Sequence, residues 1–241
     1  MQFIVLDSKE EASAKAAEIV KEIIKNKPDA VLGLATGSTP LGLYGELIKA
    51  YKAGELDFSN VTTVNLDEYV GIGGDHDQSY RYFMDHNLFN HININKENTH
   101  VPNGDTKDPA AEAKRYEELL LSLPPQAVQI LGVGQNGHIA FNEPAENLTL
   151  PTHVETLTDD TIKANSRFFQ RKEDVPTKAI TMGIRCIMRA KTIILIATGE
   201  AKQEAVKNLM NDYISANNPS SVLKLHDNAI IITDKAAYGD N

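Results

Sequence analysis

Short apolar runs alternate along the chain with longer stretches of helical periodicity. Residues 3–6 read as a first strand, and Ser8, with Glu11 three positions on, has the capping-box spacing that opens a helix. Ala12, Ala16, Ile19 and Ile23 form the expected inner stripe of that helix, and Pro28 ends it. Residues 30–34 are a buried strand, followed by a small-residue loop and a helix opening at Pro40. A strand over 61–66 comes next, then helices over 80–89 and from Asp108-Pro109 to Leu121. Segments 127–133 and 192–197 are apolar enough to be central strands covered on both faces. A helix over 200–210 and a strand over 229–233 complete the pattern. Strands alternating with helices imply βαβ units, so the fold class is α/β with a mainly parallel sheet. No repeat, low-complexity tract or linker divides residues 1–241, which are expected to form one domain. Residues 149–175 are the least regular and most polar stretch, either a surface excursion or a mobile cover over a site.

Composition narrows the function. The chain has 241 residues, 24 basic and 33 acidic, for a net charge of -9. That balance argues against nucleic acid or an anionic membrane as the main partner. It leaves a small anionic substrate open, because such a molecule feels the local site more than the total charge. A single cysteine excludes an intramolecular disulfide framework and any multi-Cys metal site. The opening MQFIVLDSKE lacks the basic region of a signal peptide, and no apolar run nears the roughly 18 residues that span a bilayer. A soluble, cytoplasmic protein is expected.

In open parallel sheets, ligands gather at the carboxyl ends of the strands. Four strand-to-loop junctions matter here: Thr36-Gly37-Ser38-Thr39-Pro40, Asp67-Glu68-Tyr69, the run from Gly134 to Pro144, and Thr198 to Lys202. The first lies before a helix, where free N–H groups and hydroxyls favour an anion. It matches neither a nucleotide-binding P-loop nor G-x-G-x-x-G, which favours one small phosphate; the same residues also describe a capped turn. Asp67 is either a general base or simply the start of a loop. His138 and Glu143 read as an acid/base pair or as a structural histidine with a neighbour. Neither H-E-x-x-H nor H-x-E with a cysteine pair is present, which excludes the zinc deaminase pattern. Lys202 at a helix start and Arg167 are candidate anion ligands or solvated cations, and Cys186 is a core thiol.

Six segments in order, LGLATGSTP (32–40), NLDEYVG (65–71), SYRYFM (79–84), LGVGQNGHIAFNEP (131–144), TLTDDTIKANSRFF (156–169) and ATGEAKQEAV (197–206), resemble the glucosamine-6-phosphate deaminase family. The resemblance covers nearly the whole chain. It implies a Rossmann-like three-layer fold in which 149–175 is a lid. It also implies that Asp67 moves a proton between C2 and C1 of an opened amino sugar. His138 would open the ring, helped by Glu143 and the residue at 136. Ser38, Thr39, Arg167 and Lys202 would hold the 6-phosphate, with Thr36 and Gly37 shaping that loop. No metal or organic cofactor is implied. The partner is a small amino-sugar phosphate.

Two departures qualify the resemblance. Asn136 stands where some members carry Asp, and an amide can orient a neighbour but not exchange its proton. His153 and Glu155 stand where larger allosteric members carry basic residues, and the chain ends soon after Tyr238. A monomer or small homo-oligomer with hyperbolic kinetics is therefore expected, not an effector-activated hexamer. The competing readings are a 6-phosphogluconolactonase-like hydrolase, which has no C2 proton to remove, and a sugar-phosphate-sensing module.

Overall fold

A computed structural model describes residues 1–165, 169, 171 and 174–239. Strand β1 (Gln2–Leu6) leads into helix α1 (Lys9–Asn26), whose first turn is capped by Ser8 Oγ accepting from the Glu11 amide at 3.1 Å. Glu11 returns the favour one residue earlier than a strict capping box, accepting from the Asp7 amide at 3.0 Å. The buried stripe of α1 is Ala12, Ser13, Ala16, Ala17, Val20 and Ile24; Ile19 and Ile23 sit at its margin, a rotation of the face from the expected one. Small residues here let α1 press closely against the sheet and against α2 (Leu41–Lys52).

Strand β2 (Val31–Leu34) precedes α2, and β3 (Thr62–Asn65) follows it. After β4 (Asp67–Tyr69) come α3 (Tyr80–Asn87), the two-residue β5 (Thr99–His100), α4 (Pro109–Ser122) and β6 (Val128–Leu131). Asp108 caps α4 by accepting from the Ala111 amide at 3.0 Å, with Pro109 in the first turn where its missing N–H costs nothing. The chain continues through β7 (His153–Thr156), α5 (Asp159–Asn165), β8 (Lys178–Thr181), α6 (Ile184–Met188) and β9 (Ile193–Ala197). A 3₁₀ turn, α7 (Gln203–Leu209), β10 (Ala229–Asp234) and α8 (Lys235–Tyr238) close it. The helix expected over 200–210 is thus a 3₁₀ turn followed by an α-helix.

Seven strands form one sheet in the order β1-β10-β9-β6-β2-β3-β5, and all of its pairings are parallel. Helices cover the sheet, and β6 and β9 are buried along their whole length. Strand order runs outward in one direction from β2 and in the other from β6. These two neighbours are therefore the switch point at which the following loops diverge and leave a crevice.

A second, antiparallel sheet, β4-β8-β7, departs from the simple βαβ expectation. Leu66 is the crossing: its N–H returns to Leu34 O in the main sheet at 3.2 Å, while its carbonyl accepts from the Met182 amide at 2.7 Å. The run expected as one strand is divided there, and Asp67 opens the second sheet. Within 149–175, β7 and α5 are regular elements; β7 pairs with β8 and lies against α4, and Ile162 of α5 packs on Tyr69, Phe141, Leu157 and Ala179. Cys186 is buried in the main core as expected. Among the described residues no helix is long and apolar enough to cross a membrane.

Candidate active site

The crevice at the switch point is a cavity of about 820 Å³ at the carboxyl rim of the sheet. Thr36 and Thr39 reach it from the loop after β2, Asp67 from β4, the segment from Gly132 to His138 from the loop after β6, and Lys202 from beyond β9. The four sequence segments chosen for their chemistry thus meet in one hollow.

Asp67 is buried. Burial, with the adjacent Glu68 carboxylate as second cause, pushes its carboxyl up to about 8. Glu68 is deeper still, and burial raises it to about 7 although three backbone donors oppose the shift. Those donors are the amides of Tyr69, Tyr80 and Arg81, each at 2.9 Å. Glu68 therefore caps the open end of α3, beside Ser79, which accepts from the Tyr82 amide at 3.0 Å. The capping holds Tyr80 against the cavity wall. Asp67 is thus an acid whose charge is suppressed until something favours it, which is how a base near neutrality is made.

The second carboxylate has the opposite environment. Burial raises Glu143 too, but His138, Thr161 and Asn136 together overcome it and hold the carboxyl down at about 2. Asn136 Nδ2 donates to Glu143 Oε2 at 2.9 Å, and Thr161 Oγ1 donates to Oε1 at 2.6 Å. His138 Nδ1 lies 3.3 Å from Oε2, an ion-pair distance, without the angle of a hydrogen bond. Asn136 also accepts from the His138 amide at 3.2 Å, so one amide side chain ties both ends of the pair. The imidazole lies flat over Gly134, where a Cβ would come within 2.2 Å of the ring; only glycine allows this. Ala140, in the same loop, has φ of +53, a conformation costing a non-glycine residue roughly 1–3 kcal/mol. It is held by Asn142, which donates to the Ile139 and Met182 carbonyls, and by Thr181 Oγ1, which accepts from the Phe141 amide.

The remaining wall suits an anion. The Tyr44 hydroxyl donates to Ala35 O at 2.6 Å and fixes the start of the loop ahead of α2. Gly132 and Thr39 face the cavity together from the loops of adjacent strands. Lys202 follows a turn at Gly199 (φ +85), whose amide donates to both Asp234 carboxylate oxygens at 3.0 Å. Gly37 and Ser38 are exposed on the same loop and do not line the cavity. Arg167 lies outside the described residues.

The family model described as glucosamine-6-phosphate isomerases/6-phosphogluconolactonase matches residues 7–232. The chain belongs to this family. A glucosamine-6-phosphate deaminase of Thermoanaerobacter sp. (strain X514) is 56% identical over 237 residues, covering 98% of this chain and 94% of that protein. One from Clostridium perfringens (strain 13 / Type A) is 53% identical, with 98% of each covered. A solved structure of a monomeric glucosamine-6-phosphate deaminase superposes with a TM-score of 0.97 at 44% identity over 100% of both chains.

Within this family site, sequence reasoning missed several residues. Tyr80, Phe141 and Lys163 line the cavity, Thr161 holds Glu143, and Glu68 holds α3. All of them lie inside the quoted motifs, but their roles depend on the second sheet and on α5, which no local pattern announced. Among the described residues, no three His, Cys, Asp or Glu side chains gather as a metal site.

Proposed function

We propose that the chain is a glucosamine-6-phosphate deaminase, converting D-glucosamine 6-phosphate and water to D-fructose 6-phosphate and ammonium. The observation that carries this reading is one cavity holding Asp67, raised to about 8, together with His138 and, on its own wall, Lys202. The relatives at 56% and 53% identity favour the deaminase over the lactonase half of the family description.

The phosphate end is assigned to Thr39 and Lys202 on the cavity wall, with Thr36 beside them; Ser38, Gly37 and Arg167 are added to it by the family resemblance alone. Holding the substrate there puts remote binding energy into orienting the reacting carbons. His138 moves a proton between the ring oxygen and the anomeric hydroxyl, opening the sugar to its aldehyde. The Glu143 carboxylate stabilises the imidazolium formed in that step, and Asn136 keeps the ring and carboxylate in register. The aldehyde acidifies C2–H. Asp67 takes that proton and returns it at C1, so the enolamine becomes a ketimine. Water then adds to the ketimine and ammonium leaves. A free Asp67 near 8 is mostly neutral at pH 7, and the substrate's ammonium group beside it favours the charged form just when a base is needed. These proton transfers need no cofactor, and each is worth about 10²–10⁴-fold.

Residues 149–175 act as the lid, a reading supported by Thr161 and Lys163 of α5, which line the cavity. The protein works as a monomer, as its structural neighbour does, on a small-molecule substrate. A buried thiol at Cys186 suits a reducing cytoplasm. The decisive assay incubates the enzyme with glucosamine 6-phosphate in heavy water. Ammonium and fructose 6-phosphate carrying deuterium at C1 are expected. Hydrolysis of 6-phosphogluconolactone with neither ammonium nor C2 exchange would overturn the reading.

A further inference from the structure

We propose that Thr161 is a positioning residue for the His138–Glu143 pair, through which docking of α5 completes the acid/base machinery. The proposal rests on the deaminase reading and extends it to a residue that touches no reacting atom.

Glu143 divides its two oxygens between separate parts of the molecule. Oε2 faces the glycine-rich loop, with Asn136 at 2.9 Å and His138 at 3.3 Å. Oε1 faces α5, with Thr161 Oγ1 at 2.6 Å. An ionised carboxylate only accepts, so the Thr161 hydroxyl must be the donor. Its own lone pairs then meet the Thr158 hydroxyl, which donates to it at 3.0 Å, while Thr158 Oγ1 also accepts from the Thr161 amide at 3.3 Å. Two hydroxyls in series thus run from the start of α5 to the carboxylate, and their direction is fixed. Thr161 and Glu143 are both buried, so water does not replace the bond without opening the structure.

The same helix presents Lys163 to the substrate cavity and packs Ile162 on the Tyr69–Phe141 cluster. A docked α5 therefore closes the cavity and fixes Glu143 in one move. Lifting it strips Oε1 of its donor and frees the carboxylate to turn from His138. The acid/base pair is complete only under a seated lid, so ring opening is confined to enclosed substrate.

Thr161→Val keeps the shape and removes the hydroxyl; Thr161→Ser keeps the hydroxyl. For the valine variant, kcat should fall roughly 10- to 100-fold, the worth of one hydrogen bond to a buried charge, with KM changing only about two- to threefold. The serine variant should recover most of the rate. In a Glu143→Gln background, Thr161→Val should cost almost nothing further, because the hydroxyl acts through that carboxylate. Urea unfolding of the same four proteins should show the same non-additivity without reference to activity. Wild-type kcat in Thr161→Val, no rescue by serine, or additive losses in the cycle would overturn the proposal. A wild type releasing no ammonium would sink the deaminase reading instead, and the unfolding cycle alone would then decide the Thr161–Glu143 link.

Discussion

Asp67 and Glu143 are two buried carboxyl groups in one site, and their surroundings drive them to opposite ends of the scale. Asp67 meets another acid and little charge compensation, and rises to about 8. Glu143 meets a histidine, an amide and a hydroxyl, and falls to about 2. Burial raises both, chiefly setting Asp67, while the partners of Glu143 outweigh it and send that carboxyl the other way. The group proposed as the base is left poised, and the group proposed to orient His138 is surrounded by donors. This separation of two titratable groups supports the proposed base and orienting partner better than either residue type does.

The largest effect should come from removing the poised group. Asp67→Asn should lower kcat by about 10³-fold or more while fructose 6-phosphate binds within a few-fold of wild type, measured by steady-state kinetics and calorimetry. Comparable turnover would end its role as base. Glu143→Gln should cost about 10²-fold, since the ring-opening pair loses its charge but C2 abstraction is untouched. Substrate supplied already opened should narrow that loss. Lys202→Ala should raise KM by about tenfold with kcat largely kept, the size of one charge-assisted contact. An unchanged KM would remove Lys202 from the phosphate end.

The same comparison extends to stability, where the two groups should have opposite slopes. Folded Asp67 keeps its proton to about 8, whereas the unfolded chain loses it near 3.8. The stability it contributes below 3.8 is therefore lost as pH rises toward 8, at up to roughly 1.4 kcal/mol per pKa unit. Asp67→Asn should melt higher than wild type at pH 7 while being inactive. Glu143 is the reverse: its contribution is present above 4.5 and lost as pH falls toward 2. Glu143→Gln should thus melt lower than wild type at pH 7 and converge with it in acid.

Much of the main sheet was legible because its signals are local. Ser8 and Asp108 cap where hydroxyl and carboxylate meet free amides, and the Ile-rich β9 is apolar because both faces are covered. The second sheet was hidden. Its strands are three or four residues long, with sequences such as HVET and KAIT that carry no two-residue alternation. Hence Asp67 read as a loop residue although it opens a strand, and Thr161 read as one polar residue in an irregular stretch. Asp67, His138 and Lys202 were legible as chemistry at strand ends; what holds them was not. Glu68 capping α3 and Thr161 capping Glu143 are contacts across 12 and 18 residues, visible only after folding.

Carboxyl titration followed by carbon-13 NMR tests the separation of the two acids most directly, with Asp67→Asn and Glu143→Gln assigning the signals. The Asp67–Glu68 pair is expected to titrate around 7 to 8, and Glu143 to stay ionised well below the usual carboxylate range. An Asp67 signal titrating near 4, level with Glu143, would contradict it.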